Sequence, residues 1–221
     1  MSYSTSVPPA PDIQVFPPRV RKRRAIQPPL SAIYREEAAA MSESTTTGVT
    51  SQLADGTAAG DWVLDPAESR AEFRVKHFWG AITVRGTLEH MTGEATVSPD
   101  GTVTGRISFD ARSLSTKNKQ RDKHLRSPDF FHVDKHPHAV LTVTSARAAG
   151  PAELECQGTF EAAGHVRPVT FTAHIQEATA QAVILTAELE LDRTEFDMTW
   201  SPLHIASATA HGTVKARFVR A

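Results

Sequence analysis

From Asp61 onward, apolar side chains return at every second position in one short run after another. That period of two constrains the fold more than any other feature of the chain. Ala71, Phe73, Val75 and His77 alternate with Glu72, Arg74 and Lys76. Ile82 to Leu88 repeats the pattern, and Gly86 within it is expected at a bend or bulge. Val97-Ser-Pro-Asp-Gly-Thr102 is a turn by composition. Val103, Gly105, Ile107, Phe109 and Ala111 then share one face, with Thr104, Arg106, Ser108 and Asp110 on the other. Further runs cover residues 139–148, 153–161, 169–175, 183–191 and 210–218, the last carrying Ala210, Gly212, Val214, Ala216 and Phe218 on one face. This makes about eight or nine strands, mostly joined by short turns, without the βα alternation of a doubly wound parallel sheet. Rolling the strands into an antiparallel barrel buries the apolar face and removes the edges. A two-sheet sandwich satisfies the same periodicity, which does not choose between them.

One polar segment interrupts the strands, running from Ser113 to the adjacent aromatics Phe130 and Phe131. Thr116 is the expected N-cap, and residues 117–126 contain no Gly or Pro to break a helix. Ser127-Pro128-Asp129 restarts a short turn, since proline suits a first helical position. Helical spacing puts Arg121, His124 and Leu125 side by side and pairs Asp122 with Arg126. Phe130 and Phe131 are expected to press this helical excursion, at about 116–131, onto the open end of the sheet as a cap.

Residues 1–58 read as a disordered tail and linker, and 59–221 as the folded domain. Val7-Pro-Pro-Ala-Pro11, Phe16-Pro-Pro18 and Gln27-Pro-Pro29 favour extended chain, and residues 42–59 are Ser/Thr/Ala/Gly-rich. Met41 opens a segment that resembles an ordinary N-terminus, so translation is expected to start there. Arg21-Lys-Arg-Arg24 reads as solvated charge. A net charge of −1 over 221 residues gives no field that would recruit nucleic acid. The single cysteine, Cys156, excludes an internal disulfide and reads as a small buried hydrophobe. No apolar run reaches the roughly 20 residues of a membrane-spanning helix. No secretory signal is visible, so a cytoplasmic location is the default expectation.

Ala71, Gly105, Ala111, Gly158, Ala173, Ala187, Gly212 and Ala216 are small for the inner face of a filled barrel. They either line a cavity or mark bends and tight sheet contacts. A cavity among such neighbours would be apolar and suited to a prenyl or acyl chain, which gains roughly 0.8 kcal/mol per buried methylene. Arg121 and His124, at a barrel mouth, would face the ligand's phosphate or quinone oxygen. His124, His132, His136 and His138 raise a metal or haem alternative, but no Cys and no His-Glu-x-x-His helix accompanies them. Hydrolysis would need a nucleophile beside Arg121-Asp-Lys-His124, and no serine sits there on a strained elbow.

The ordered set Trp62-Val-Leu-Asp-Pro-Ala-Glu-Ser69, Phe73-Arg-Val-Lys-His77, Val84-Arg-Gly86, Ser113-Leu-Ser-Thr116, Gln120-Arg-Asp-Lys-His-Leu-Arg-Ser-Pro-Asp-Phe-Phe131, Pro168-Val-Thr-Phe171 and Arg193-Thr-Glu-Phe196 resembles the YceI-like lipid/polyisoprenoid-binding family. The resemblance covers about residues 61–221. It implies an all-β, eight-stranded antiparallel, lipocalin-like barrel that binds isoprenoid chains, quinones or fatty-acid derivatives in its lumen, without catalytic residues. The chain departs from the family's Gly-x-Thr-x-Pro turn at Gly164-His-Val-Arg-Pro168. It also carries His132 and His136 where Asp and Tyr commonly follow the paired phenylalanines.

The resulting expectation is a non-enzymatic carrier of an amphiphilic isoprenoid, quinone or fatty-acyl lipid, with no metal or other cofactor. Its expected ligand contacts are Phe73, Val75, Ile107, Phe109, Arg121, His124, Phe130, Phe131, Phe171 and Leu185, and a homodimer is compatible with it. The other readings are a histidine-based metal or haem activity and an interaction module acting through the N-terminal tail.

Overall fold

The computed structural model describes Leu53, residues 56–201 and residues 205–221. Expectations that fall on residues 1–52, 54 and 55 lie outside these residues, whereas Leu53 and Ala58 of the expected tail are buried in the core. Eleven segments pair antiparallel into one sheet: β1 (Gly60–Leu64), β2 (Arg70–His77), β3 (Ile82–Leu88), β4 (Met91–Val97), β5 (Val103–Asp110), β6 (Leu114–Ser115), β7 (His138–Gly150), β8 (Glu153–Ala162), β9 (His165–Ala178), β10 (Ala182–Asp192) and β11 (Ala206–Arg220).

The sheet closes on itself at β11. One edge of β11 carries β10, from Ala182↔Val219 to Asp192↔Thr209. Its other edge carries first β2, with Ala210↔Val75 and Lys215↔Arg70, and then β1, with Leu64↔Phe218 and Trp62↔Arg220. β1 and β2 are therefore two lengths of one staved line. β3 and β4 form the next, because β3 pairs with β2 and β4 with β1. β5 and β6 form a third, through the β4–β5 and β3–β6 pairs. With β7 to β11 unbroken, the result is an eight-stranded antiparallel barrel, which decides between barrel and sandwich.

The interruptions have local causes. At the first, Pro66 has no N–H for a ladder, while the Asp65 carboxylate accepts from Ala67 N (3.1 Å) and the Ser69 hydroxyl donates to the Asp65 carbonyl (2.7 Å). At the third, Asp110 Oδ1 accepts from Arg112 N (2.9 Å) and the Ser113 hydroxyl donates to the Asp110 carbonyl (2.6 Å). Ser113 Oγ also accepts from His90 N (3.0 Å), which ties the third break to the second, between β3 and β4. Short side chains have taken over backbone bonding that a ladder would otherwise use.

Gly86 marks no bulge: β2 and β3 stay in register across it, from Ala71↔Leu88 to His77↔Ile82. It is small because the Phe73 ring lies over it, where a Cβ would sit 2.4 Å from Phe73 Cζ. The register shifts occur elsewhere, notably between Val143 and Ser145 of β7. Beside that shift the expected tight contact is found at Gly158, whose Cβ would lie 1.9 Å from the Thr142 carbonyl oxygen. The β8–β9 hairpin turns through Ala163 (φ 50°) and Gly164 (φ 80°), the left-handed pair that a two-residue hairpin of this twist requires.

The helix α1 (Lys119–Leu125) is shorter than the expected 117–126. Lys117 takes a left-handed backbone (φ 58°), which ends any helix on its N-terminal side. The cap is Asn118, whose Oδ1 accepts from Arg121 N at 3.0 Å, and not Thr116. The expected Asp122–Arg126 side-chain pair does not form, because both groups bond back into the segment 112–116.

Candidate functional site

Alternate residues of every strand point inward, and where they are small the lumen is open. Three apolar cavities lie one after another along it. The largest, about 150 Å³, lies under the lid segment 116–131 and is lined by Phe73, Val75, Phe109, Leu125, Phe130 and Phe131, among others. The second, about 90 Å³, is bordered by Ile107, Cys156, Phe171, Ala173 and Ala187. The third, about 80 Å³, ends at Leu53, Ala58 and Trp62 at the far end of the barrel. Leu141 and Val214 border both the first and the second, and Leu154, Leu185 and Phe218 both the second and the third. These shared residues carry rotatable side chains, so a change of rotamer can join the chambers.

The small residues divide between the two expected roles. Ala71 and Gly212 line the first cavity, and Gly105, Ala173, Ala187 and Ala216 the second. Gly158 serves the β7 contact, and Ala111 is wholly buried beside the β5–β6 interruption. Cys156 is a buried thiol whose pKa burial pushes up to about 11, which leaves it protonated and a poor nucleophile.

The lid is held by polar contacts on its own side. Asp122, buried, accepts from Thr116 N at 2.8 Å and from the Thr116 hydroxyl at 2.5 Å. Arg121 donates from Nε to Thr116 Oγ1 (2.7 Å) and from Nη2 to the Thr116 carbonyl (3.1 Å). Arg126 donates from Nε to the Arg112 carbonyl at 3.0 Å and from Nη2 to the Leu114 carbonyl. Phe130 and Phe131 pack against the core, as a cap requires.

Eight of the ten expected contact residues border the cavities: Phe73, Val75, Phe109, Phe130 and Phe131 the first, Ile107 and Phe171 the second, and Leu185 the second and third. Arg121 and His124 border none of the three. Arg121 is spent on Thr116, while His124 Nε2 lies 3.0 Å from Asp129 Oδ2 and its ring packs edge-on to Trp200 at 4.3 Å.

The buried charged residue that does meet the first cavity is Arg193. It stands on the short 3-10 turn Arg193–Phe196 after β10 and is buried. Nε donates to the Ser207 carbonyl (2.8 Å), Nη1 to the Met198 carbonyl and Nη2 to the Ala206 carbonyl (3.4 Å). Burial pushes this guanidinium below its usual pKa, with Asp192 acting the other way. His77, at the end of β2, is likewise pushed below its usual value by burial first and then by the positive charges of Arg193 and Arg121. A sequence signal for Arg193 existed, since Val183, Leu185, Ala187, Leu189 and Leu191 share one parity and residue 193 continues it.

Among the described residues no group of three or more His, Cys, Asp or Glu side chains gathers as a metal site would need. His132 and His136 approach only each other, ring to ring at 5.8 Å, and His138 opens β7. The metal or haem alternative therefore finds no support in this geometry.

The YceI-like domain model matches residues 62–219, which is most of the chain. The chain belongs to the YceI-like family. It is 31% identical over 121 residues to Protein YceI of Shigella flexneri, covering 53% of this chain and 62% of that protein. With a UPF0312 protein of Vibrio cholerae it shares 29% identity over 119 residues, covering 52% and 62% respectively. The chain thus spans about 62% of the length of these curated relatives. Among solved structures, Burkholderia cenocepacia BcnA superposes with a TM-score of 0.64 at 14% identity, over 70% of this chain and 98% of that one. A polyisoprenoid binding domain from Saccharophagus degradans, implicated in plant cell wall breakdown, gives a TM-score of 0.62 at 14% identity, over 72% and 98%. These two likenesses bear on the fold alone. The described residues contain no helix long and apolar enough to cross a membrane.

Proposed function

We propose that this protein is a non-enzymatic carrier whose barrel lumen holds the chain of an amphiphilic isoprenoid, quinone or fatty-acyl lipid. The observation that carries the reading is the row of three apolar chambers beneath the lid, neighbouring chambers sharing lining residues with rotatable side chains. Joining them gives a chain-shaped space with few polar partners for a small metabolite. Ten buried methylenes contribute about 8 kcal/mol, comparable to the roughly 4–15 kcal/mol lost in association. Only a long chain makes binding favourable. Family membership, and the polyisoprenoid binding attributed to the Saccharophagus degradans neighbour, support the same reading.

On this proposal Phe73, Val75, Ile107, Phe109, Phe130, Phe131, Phe171 and Leu185 contact the chain. Arg121 and His124 act at the lid, which must move for the chain to enter. Residues 59–221 form the binding domain and residues 1–58 a tail, of which Leu53 and Ala58 close the third chamber. Cytoplasmic residence and a homodimer belong to the same proposal, and cell fractionation and light scattering of the full chain test them.

Native mass spectrometry of the freshly purified full chain, followed by solvent extraction, tests the central part. A stoichiometric added mass that extracts as a prenyl or acyl lipid is expected. An apo mass unchanged by incubation with such lipids would falsify the reading.

A further inference from the structure

The first chamber contains an electrostatic imbalance that carrying a hydrocarbon chain does not explain. Its lining is apolar except for Glu72, His211 and Arg193. Glu72 is exposed and turns to Arg70 Nε at 2.9 Å, and His211 Nδ1 turns to Glu190 at 3.7 Å. Arg193 alone has a buried charge at this wall. Among the described residues no carboxylate forms an ion pair with it. The nearest acid in sequence, Asp192, spends its Oδ1 on Thr194 N (2.9 Å) and Thr194 Oγ1 (2.6 Å) at the surface. Asp122 is committed to Thr116, and Asp129 to His124.

Asp192 offsets part of the cost of burying Arg193, but from the exposed surface and without an ion-pair contact. Arg193 and Arg121 both act on His77, and burial holds that imidazole toward its neutral form. Three carbonyls orient the Arg193 guanidinium, one at each nitrogen, but carbonyl dipoles leave its net charge in place. A guanidinium carries more N–H groups than these bonds use. A buried cation without an ion-pair contact is costly, and a planar guanidinium with N–H groups to spare suits a carboxylate or phosphate.

We propose that Arg193 anchors the head group of the lumen's ligand, and that this ligand is an anionic amphiphile with a carboxylate or phosphate head. The inference rests on the carrier reading above and narrows it. The chain runs down the chambers, and the oxyanion at the lid end supplies the ion-pair contact that no described carboxylate makes with Arg193. Neutral prenols, fatty alcohols and quinones of equal length then bind more weakly than acids and prenyl phosphates.

The test uses the wild-type full chain and matched probes: palmitic acid against hexadecanol, and farnesyl phosphate against farnesol, by calorimetry in neutral buffer. The anionic member of at least one pair is expected to bind at least about tenfold tighter than its alcohol. The pair that shows the preference tells a fatty acid from a prenyl phosphate. Equal binding of acid and alcohol in both pairs overturns the inference and leaves the carrier reading standing, whereas failure of all four probes removes both. Carbon NMR of carboxyl-labelled palmitate is a second measurement that needs no mutation. A head beside Arg193 titrates below free carboxylates, while one buried among hydrocarbon titrates above them. Arg193→Lys keeps the charge but loses the fork, and is expected to retain only part of the preference for the anion.

Discussion

The two walls of the barrel are built differently. β7 to β11 are unbroken strands of 10 to 15 residues, and the close contact at Gly158 shows how tightly their backbones meet. The facing wall is three interrupted lines: local bonds of Asp and Ser replace the ladder at the first and third breaks, and Ser113 reaches across to His90 at the second. The lid grows out of the last interruption and bonds back to it through Arg126, while Asp122 and Arg121 fasten the helix to Thr116 at the lid's start. The unbroken wall has the geometry of a fixed surface. The interrupted wall is where a moving part can be attached without unravelling a ladder.

The largest expected effect lies on the unbroken wall. Gly158→Ala drives a Cβ into the Thr142 carbonyl, where only backbone can yield, and should cost about 3 kcal/mol in urea unfolding. Gly86→Ala on the interrupted wall meets the Phe73 ring and the Thr116 methyl, which are side chains, and should cost about half as much. Equal losses would break the comparison.

Asp122→Ala strips Thr116 of the acceptor for its buried N–H and hydroxyl, and about 2 kcal/mol is expected. The loss should appear as faster hydrogen exchange in residues 119–125 and faster ligand release, with little change in β8 and β9. Uniformly faster exchange over the whole barrel would mean that the lid is not a separate unit.

Arg217 and Asp65 join β11 to the first interruption at 2.5 Å, with side chains 31% and 26% exposed. Solvent screening at that exposure limits the pair to about 1 kcal/mol in a double-mutant cycle.

The smallest effect concerns pH. His77 is held below its ordinary pKa of 6.5, so near and below that value the unfolded chain binds the proton more readily. Stability from this residue is therefore complete above pH 6.5 and declines as pH falls through the window below it. His77→Gln should flatten that part of the stability profile, and an unchanged slope would remove His77 as its source.

Much of the fold was legible because period two survives wherever inward residues are large. β4 was not read, since its inward positions include Gly93 and Ala95, and alternation fades when one face is almost without side chains. β1 is too short for a pattern. Closure itself depends on β11 pairing with strands more than a hundred residues away, which periodicity does not encode. At the lid, spacing alone suggested an Asp122–Arg126 pair. Thr116, which is buried, and the carbonyls of 112 and 114 compete better, and Thr116 would otherwise leave buried donors unpaired. The aromatic and aliphatic part of the site followed strand parity, which is why eight expected contacts border the cavities. Arg193 continues the same parity, but in the sequence it stands out only as part of the motif Arg193-Thr-Glu-Phe196.

The most direct test of a chain threaded through the lumen is methyl NMR with a fatty acid carrying a nitroxide near its far end. The account predicts that the label bleaches the methyls of Leu154, Val183 and Leu185, around the inner chambers, while the exposed Val63 and Val166 on the outer surface keep their intensity. Bleaching confined to the outer surface, with the inner methyls untouched, would contradict it.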